Sequence, residues 1–73
     1  MEKFKVILEN GRIEDPHRFV VFLSYHFGVV GVITNVDVEE VNQFQILRAD
    51  EKKMEEIKEW FKEKGIGLKY EKI

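Results

Sequence analysis

The amino-acid sequence predicts an α+β sandwich, in which two helices cover one face of a four-stranded antiparallel sheet. Three observations lead there. Two stretches place apolar residues at helical spacing, His17 to Phe27 and the segment between Asp50 and Gly65. Four shorter stretches read as strands, and the order of the six is strand, helix, strand, strand, helix, strand.

The first strand pattern is Phe4-Lys5-Val6-Ile7-Leu8, with Phe4, Val6 and Leu8 on the core side and Lys3, Lys5 and Ile7 on the other. Asn10-Gly11 ends it, and a short loop over residues 11–14 follows. Asp15-Pro16 is a helix start, because Asp15 can accept an orphan amide and Pro16 suits the first helical position. In the helix, Phe19, Phe22, Leu23, His26 and Phe27 fall on one side and are expected to face the sheet. Val21 and Tyr25 then point outward. They are either ordinary exposed apolar residues or the contact of a homodimer.

Gly28 is placed to cap the helix in the left-handed conformation. The run Gly28-Val29-Val30-Gly31-Val32-Ile33-Thr34-Asn35 reads as a buried strand that delivers Asn35 to the sheet edge. A polar, acidic connection leads to a third strand, Val41 to Leu47, with Phe44 and Ile46 on one face. Asp50 caps the second helix, whose Met54, Ile57, Trp60 and Phe61 make a narrow apolar stripe. Gly65 ends it, and Ile66 to Ile73 supplies the last strand with Leu68 and Tyr70 to one side.

Right-handed crossovers turn this order into a ferredoxin-like βαββαβ sandwich, with the first and third strands central and the first and second running the same way. The loop after the first strand and Asn35 therefore share one sheet edge, roughly 10 Å apart at two strand spacings. A loop entering a helix N-terminus offers free amides and a positive dipole end, to which Arg12 or Arg18 adds a phosphate donor. Asn35 is then placed to orient a water. The alternative is that Asn10-Gly11-Arg12 is a plain connection and Asn35 a plain strand terminator.

These segments resemble the acylphosphatase family, small ferredoxin-like enzymes that hydrolyse carboxyl-phosphate anhydrides with a loop-borne Arg and an Asn. Residues 28–35 are similar to the family's G-V-x-G-x-V-x-N segment, Gly11-Arg12-Ile13 to the start of its phosphate loop, and Trp60-Phe61 to an apolar pair on its second helix. The resemblance implies Asn35 as the water-positioning residue and Arg18 as its catalytic partner, with Gly11, Arg12, His17 and Arg18 holding the anion. The register departs from the family: its catalytic Arg aligns with His17, and Arg18 sits one place later. The loop is also about two residues shorter and carries Glu14 and Asp15, whose charge opposes an anion. The expected ligand is a phosphate-containing small molecule. A non-catalytic ferredoxin-like module that dimerises or binds a small regulatory ligand is the alternative.

Composition narrows the other classes. At 73 residues the chain reads as one domain over 1–73, and a core this small makes association a live expectation. With no cysteine there is no thiol chemistry, and His17 and His26 sit on different helix faces, so neither a metal nor a cofactor is expected. A net charge of -2 and the lack of strand aromatics argue against nucleic acid. No apolar run nears a membrane span, which makes the cytoplasm the expected compartment. Many Lys and Glu with few amides give a thermophile-like composition.

Overall fold

Alternation in the first strand decides which way the sheet faces. In the computed structural model, which describes residues 2–33 and 42–73, β1 (Glu2–Leu8) buries Phe4, Val6 and Leu8 and turns Lys3, Lys5 and Ile7 to the opposite side. It is followed by α1 (Pro16–Phe27), β2 (Val30–Val32), β3 (Gln43–Ala49), α2 (Glu51–Glu63) and β4 (Leu68–Lys72). The sheet order is β2-β3-β1-β4, with every neighbouring pair antiparallel. β1 and β3 are central and β1 and β2 point the same way, which makes the domain an α+β, ferredoxin-like sandwich.

The helix ends are set by the residues that the sequence singles out. Asp15 and Asp50 have extended backbones, and each accepts the amide three residues on, Arg18 at 3.2 Å and Lys53 at 2.8 Å. Gly28 closes α1 at φ 69°, donating its N–H to the Ser24 carbonyl at 3.0 Å. Gly65, at φ 79°, closes α2: its N–H reaches the Lys62 carbonyl at 3.0 Å and the Ile66 N–H reaches that of Phe61 at 2.9 Å. That crossed pair is a Schellman motif, which satisfies carbonyls the helix end leaves over.

Between the layers, Leu23 and Phe27 of α1 and Met54, Ile57 and Phe61 of α2 meet Phe4, Val6, Phe44 and Ile46 of the sheet, all of them buried. Phe19 joins the two helices to β3, edge-on to Phe44 with ring centroids 5.0 Å apart and 6.0 Å from Phe61. Truncating a side chain buried as fully as Ile57 costs about 2–5 kcal/mol, a large share of a small domain's stability.

Four details differ from the sequence reading. The run expected as a buried strand is an edge strand of three residues: Val29 and Gly31 are buried, but Val30 is half exposed on the open face. Its expected end, Asn35, lies outside the described residues, as does Val41. His26 is exposed rather than facing the sheet. It stacks on Phe22 at 5.2 Å and lies 5.7 Å from Trp60, at the seam between the helices. Ile13, a lone apolar residue in the first loop, is buried and belongs to the core.

The fourth detail is a bulge in β3. Glu2 pairs with Ala49 whereas Phe4 pairs with Ile46, so two β3 residues oppose one on β1, and Arg48 takes a left-handed φ of 58°. The extra residue shifts the alternation by one. Ala49 thereby faces the core where an unbroken strand would have turned Arg48 inward.

Candidate functional site

The end of β1 is held from both sides. Leu8 donates its N–H to the Asn42 carbonyl at 2.8 Å, and Glu9 donates to that of Gly67 at 2.9 Å. The Asn10 side chain then reaches the turn before β4: Nδ2 donates to the Gly65 carbonyl at 3.0 Å and Oδ1 accepts the Gly67 N–H at 2.6 Å. Gly11 follows so close to that turn that a Cβ on it would lie 2.9 Å from Ile66 Cγ2. The glycine is required by packing, whatever else it does.

Where β1 ends, a cavity of about 510 Å³ opens, lined by Leu8, Glu9, Asn10, Gly11, Arg12 and Asn42. Arg12 and Asn42 bring to its wall a guanidinium and a carboxamide, side-chain types suited to an oxyanion, whereas the Asn10 carboxamide is engaged with the turn before β4. Glu9 is the opposing charge in the wall, and it is drawn toward Lys69, 3.9 Å away on β4. Gly11 and Arg12, both expected at an anion site, line this cavity.

His17 and Arg18 lie in the first turn of α1, both exposed, and neither is among the described residues that line the cavity. Here the cap has a chemical consequence. Asp15 Oδ1 takes the Arg18 N–H, Asp15 Oδ2 stands 3.7 Å from Arg18 Nε, and Pro16 has no N–H to give. The next amide, that of Phe19, goes to the Asp15 carbonyl at 3.0 Å. The carboxylate of Asp15 therefore stands where the helix would otherwise receive an anion. The expected water-positioning residue, Asn35, lies outside the described residues.

Asn10 and Asn42 are, with Glu9 and the core residue Leu8, the lining residues that sequence reasoning did not assign to a site. A signal existed for Asn42, a carboxamide directly before a strand that starts at the same sheet edge. None existed for the Asn10 contacts, which span most of the chain.

The open sheet face has a different character. Lys5 is in register with Glu71 and Ile7 with Lys69, so charges of both signs alternate across β1 and β4. No helix formed by the described residues is long and apolar enough to cross a membrane. Among the described residues no group of three or more His, Asp or Glu is arranged to hold a metal ion. Comparisons of the chain with protein-family models, with curated proteins and with solved structures found no match.

Proposed function

We propose that this chain is an acylphosphatase-like domain that binds small phosphate-bearing molecules, acyl phosphates foremost, at the end of β1. The observation that carries the reading is the cavity at the end of β1, lined by Gly11, Arg12 and Asn42 among others. Arg12 supplies the paired donor for the phosphoryl oxygens. Arg18 is a second donor within reach of release, because its contact with Asp15 is an exposed pair of the kind worth only about 0–1 kcal/mol. Asn35 takes the role of orienting water. An acyl phosphate is already a reactive anhydride, so positioning and charge stabilisation suffice for hydrolysis without a general base. The same proposal makes the partner a small molecule rather than nucleic acid or a membrane, and the compartment the cytoplasm.

One observation favours a second reading, a binding module without turnover. The Asp15 carboxylate fills the helix N-terminus with negative charge, which raises the cost of a phosphate dianion there.

A paired experiment separates the two. Inorganic phosphate is titrated by amide NMR, and a generic acyl phosphate is incubated with the protein while hydrolysis is followed. Binding is expected to shift amides of residues 11–18 and to weaken on Arg12→Ala and on Arg18→Ala. Asn35→Ala is expected to lower turnover about a hundredfold while leaving phosphate affinity in place. Shifts without turnover in the unaltered protein establish the module. Absence of both removes the site altogether.

A further inference from the structure

Four large apolar side chains stand exposed among the described residues: Val21 at 50%, Tyr25 at 94%, Val30 at 52% and Ile73 at 64%. Three of them belong to α1 and β2, two elements that pack directly on each other. A Cβ on Gly31 would lie 2.8 Å from Leu23 Cδ1, so the helix rests almost on the strand backbone. The two edges of the sheet are also unlike. β4 carries Lys69, Glu71 and Lys72, with Lys72 paired to Glu2 at 2.9 Å, the kind of charge that keeps a strand from pairing with a foreign one. β2 reads Val30-Gly31-Val32 and has no charge and no proline, although it ends the sheet formed by the described residues.

We propose that two copies of this chain join through β2, antiparallel and centred on Gly31, so that one sheet runs through both. A two-fold axis perpendicular to the sheet makes the contact. Val30 then lies beside Val32 of the second copy and Val32 beside its Val30, a cluster of β-branched cross-strand pairs on the open face. Both α1 helices fall on the same face. α1 touches β3 through Phe19 and β2 through Leu23, so it covers two strands. Strands about 4.8 Å apart therefore place the two α1 axes roughly 10 Å apart, which is the distance at which helices pack.

The side chains at that seam suit such an approach. α1 turns Phe22 and His26 toward Trp60 on α2, at 5.0 and 5.7 Å, so the flank half a turn away carries Val20, Ser24 and Val21, with His17 at its N-terminal end. Ser24 is small enough to let the helices close, and Tyr25 forms the rim. The occupant is a second copy because the described β2 edge carries no charged side chain and is self-complementary: the same three residues supply donors and acceptors to themselves. A helix about 18 Å long over one strand buries roughly 700–1,000 Å² in all, below the size of permanent interfaces, so the pair is reversible.

Sedimentation equilibrium from about 10 μM to about 1 mM tests the proposal, together with amide exchange at both ends of that range. The weight-average mass is expected to rise with concentration, and amides of residues 30–32 directed away from β3 are expected to gain protection. Val30→Lys, at a half-exposed position that tolerates the change, is expected to raise Kd tenfold or more with the circular dichroism of the fold unchanged. Ile73→Lys, on the side of β4, is expected to leave Kd within twofold. A chain that stays monomeric to about 1 mM overturns the inference. So does a dimer indifferent to Val30→Lys, or one lost on Ile73→Lys, either of which moves the contact to another surface.

Discussion

Asn10 Oδ1 accepts the Gly67 N–H at 2.6 Å across 57 residues of sequence, and Nδ2 of the same side chain donates to Gly65. One carboxamide thus fastens the exit of β1 to the entry of β4. Both bonds are exposed to water, which can replace them, so Asn10→Ala is expected to cost about 1–2 kcal/mol rather than the full strength of two bonds. Asn10→Asp keeps the acceptor and loses the donor, and a smaller loss is expected. Urea unfolding of the three proteins measures this. An alanine variant within about 0.3 kcal/mol of the parent would show that the clamp is incidental.

The glycine beside it separates a packing role from a ligand role. Gly11→Ala drives a methyl against Ile66 and is expected to destabilise the fold by about 1–2 kcal/mol. Ile66→Ala in the same chain removes the obstruction, so the loss in the double variant is expected to be smaller than the sum of the two single losses. If the losses simply add, Ile66 is not what excludes a side chain at position 11. Phosphate affinity measured on the double variant then reports the part of Gly11 that concerns the anion alone.

Alkali supplies the next expectation. Tyr70 lies edge-on to Phe4 with ring centroids 5.6 Å apart, and its phenol is held above the ordinary 10.0. The packing that strips water from it is the largest cause, followed by the Glu55 carboxylate, as a like charge and as its hydrogen-bond acceptor, and by Glu51. Lys72 is raised as well, first by its hydrogen bond to Glu2 and then by the charge of that carboxylate. In both cases the folded state holds the proton more tightly than the unfolded chain. The stabilisation is therefore fully present below the unfolded pKa and is lost as pH rises through the folded one. Urea midpoints are expected to fall between about pH 9.5 and about pH 11.5, with a shallower fall in Tyr70→Phe. Equal slopes in the two proteins would assign the loss to other groups.

What could be read from the sequence was local. Asp15-Pro16, Gly28, Asp50 and Gly65 mark helix ends through bonds spanning three to five residues, and the strands β1 and β4 show their inner faces by alternation. The misread features depend on distant partners. An apolar run such as residues 28–35 has the same periodicity in the middle of a sheet as at its margin, so its composition suggests burial although the expected strand order already puts it at an edge, where Val30 is half exposed. His26 sits at the border of the apolar stripe, where Trp60 decides its side. The bulge at Arg48 leaves no local mark, because arginine does not favour a left-handed φ and the extra residue shows only in the pairing with β1. At the candidate site, Gly11 and Arg12 line the cavity at the end of β1. The Asp15 cap was legible too, but its grip on the Arg18 guanidinium came with the geometry.

The strand order also bears on the order of events during synthesis. Among the described strands β1 pairs with β3 and β4, so it has no sheet partner until residues 43–49 have left the ribosome. Up to that point α1 has only unpaired strands beneath it, and the apolar faces of β1 and α1 are open to any hydrophobic surface nearby. Loop closure over distances of this order slows folding and prolongs that exposure. The nascent first half is thus the stage at which this chain most needs a chaperone, and the finished sheet removes the need.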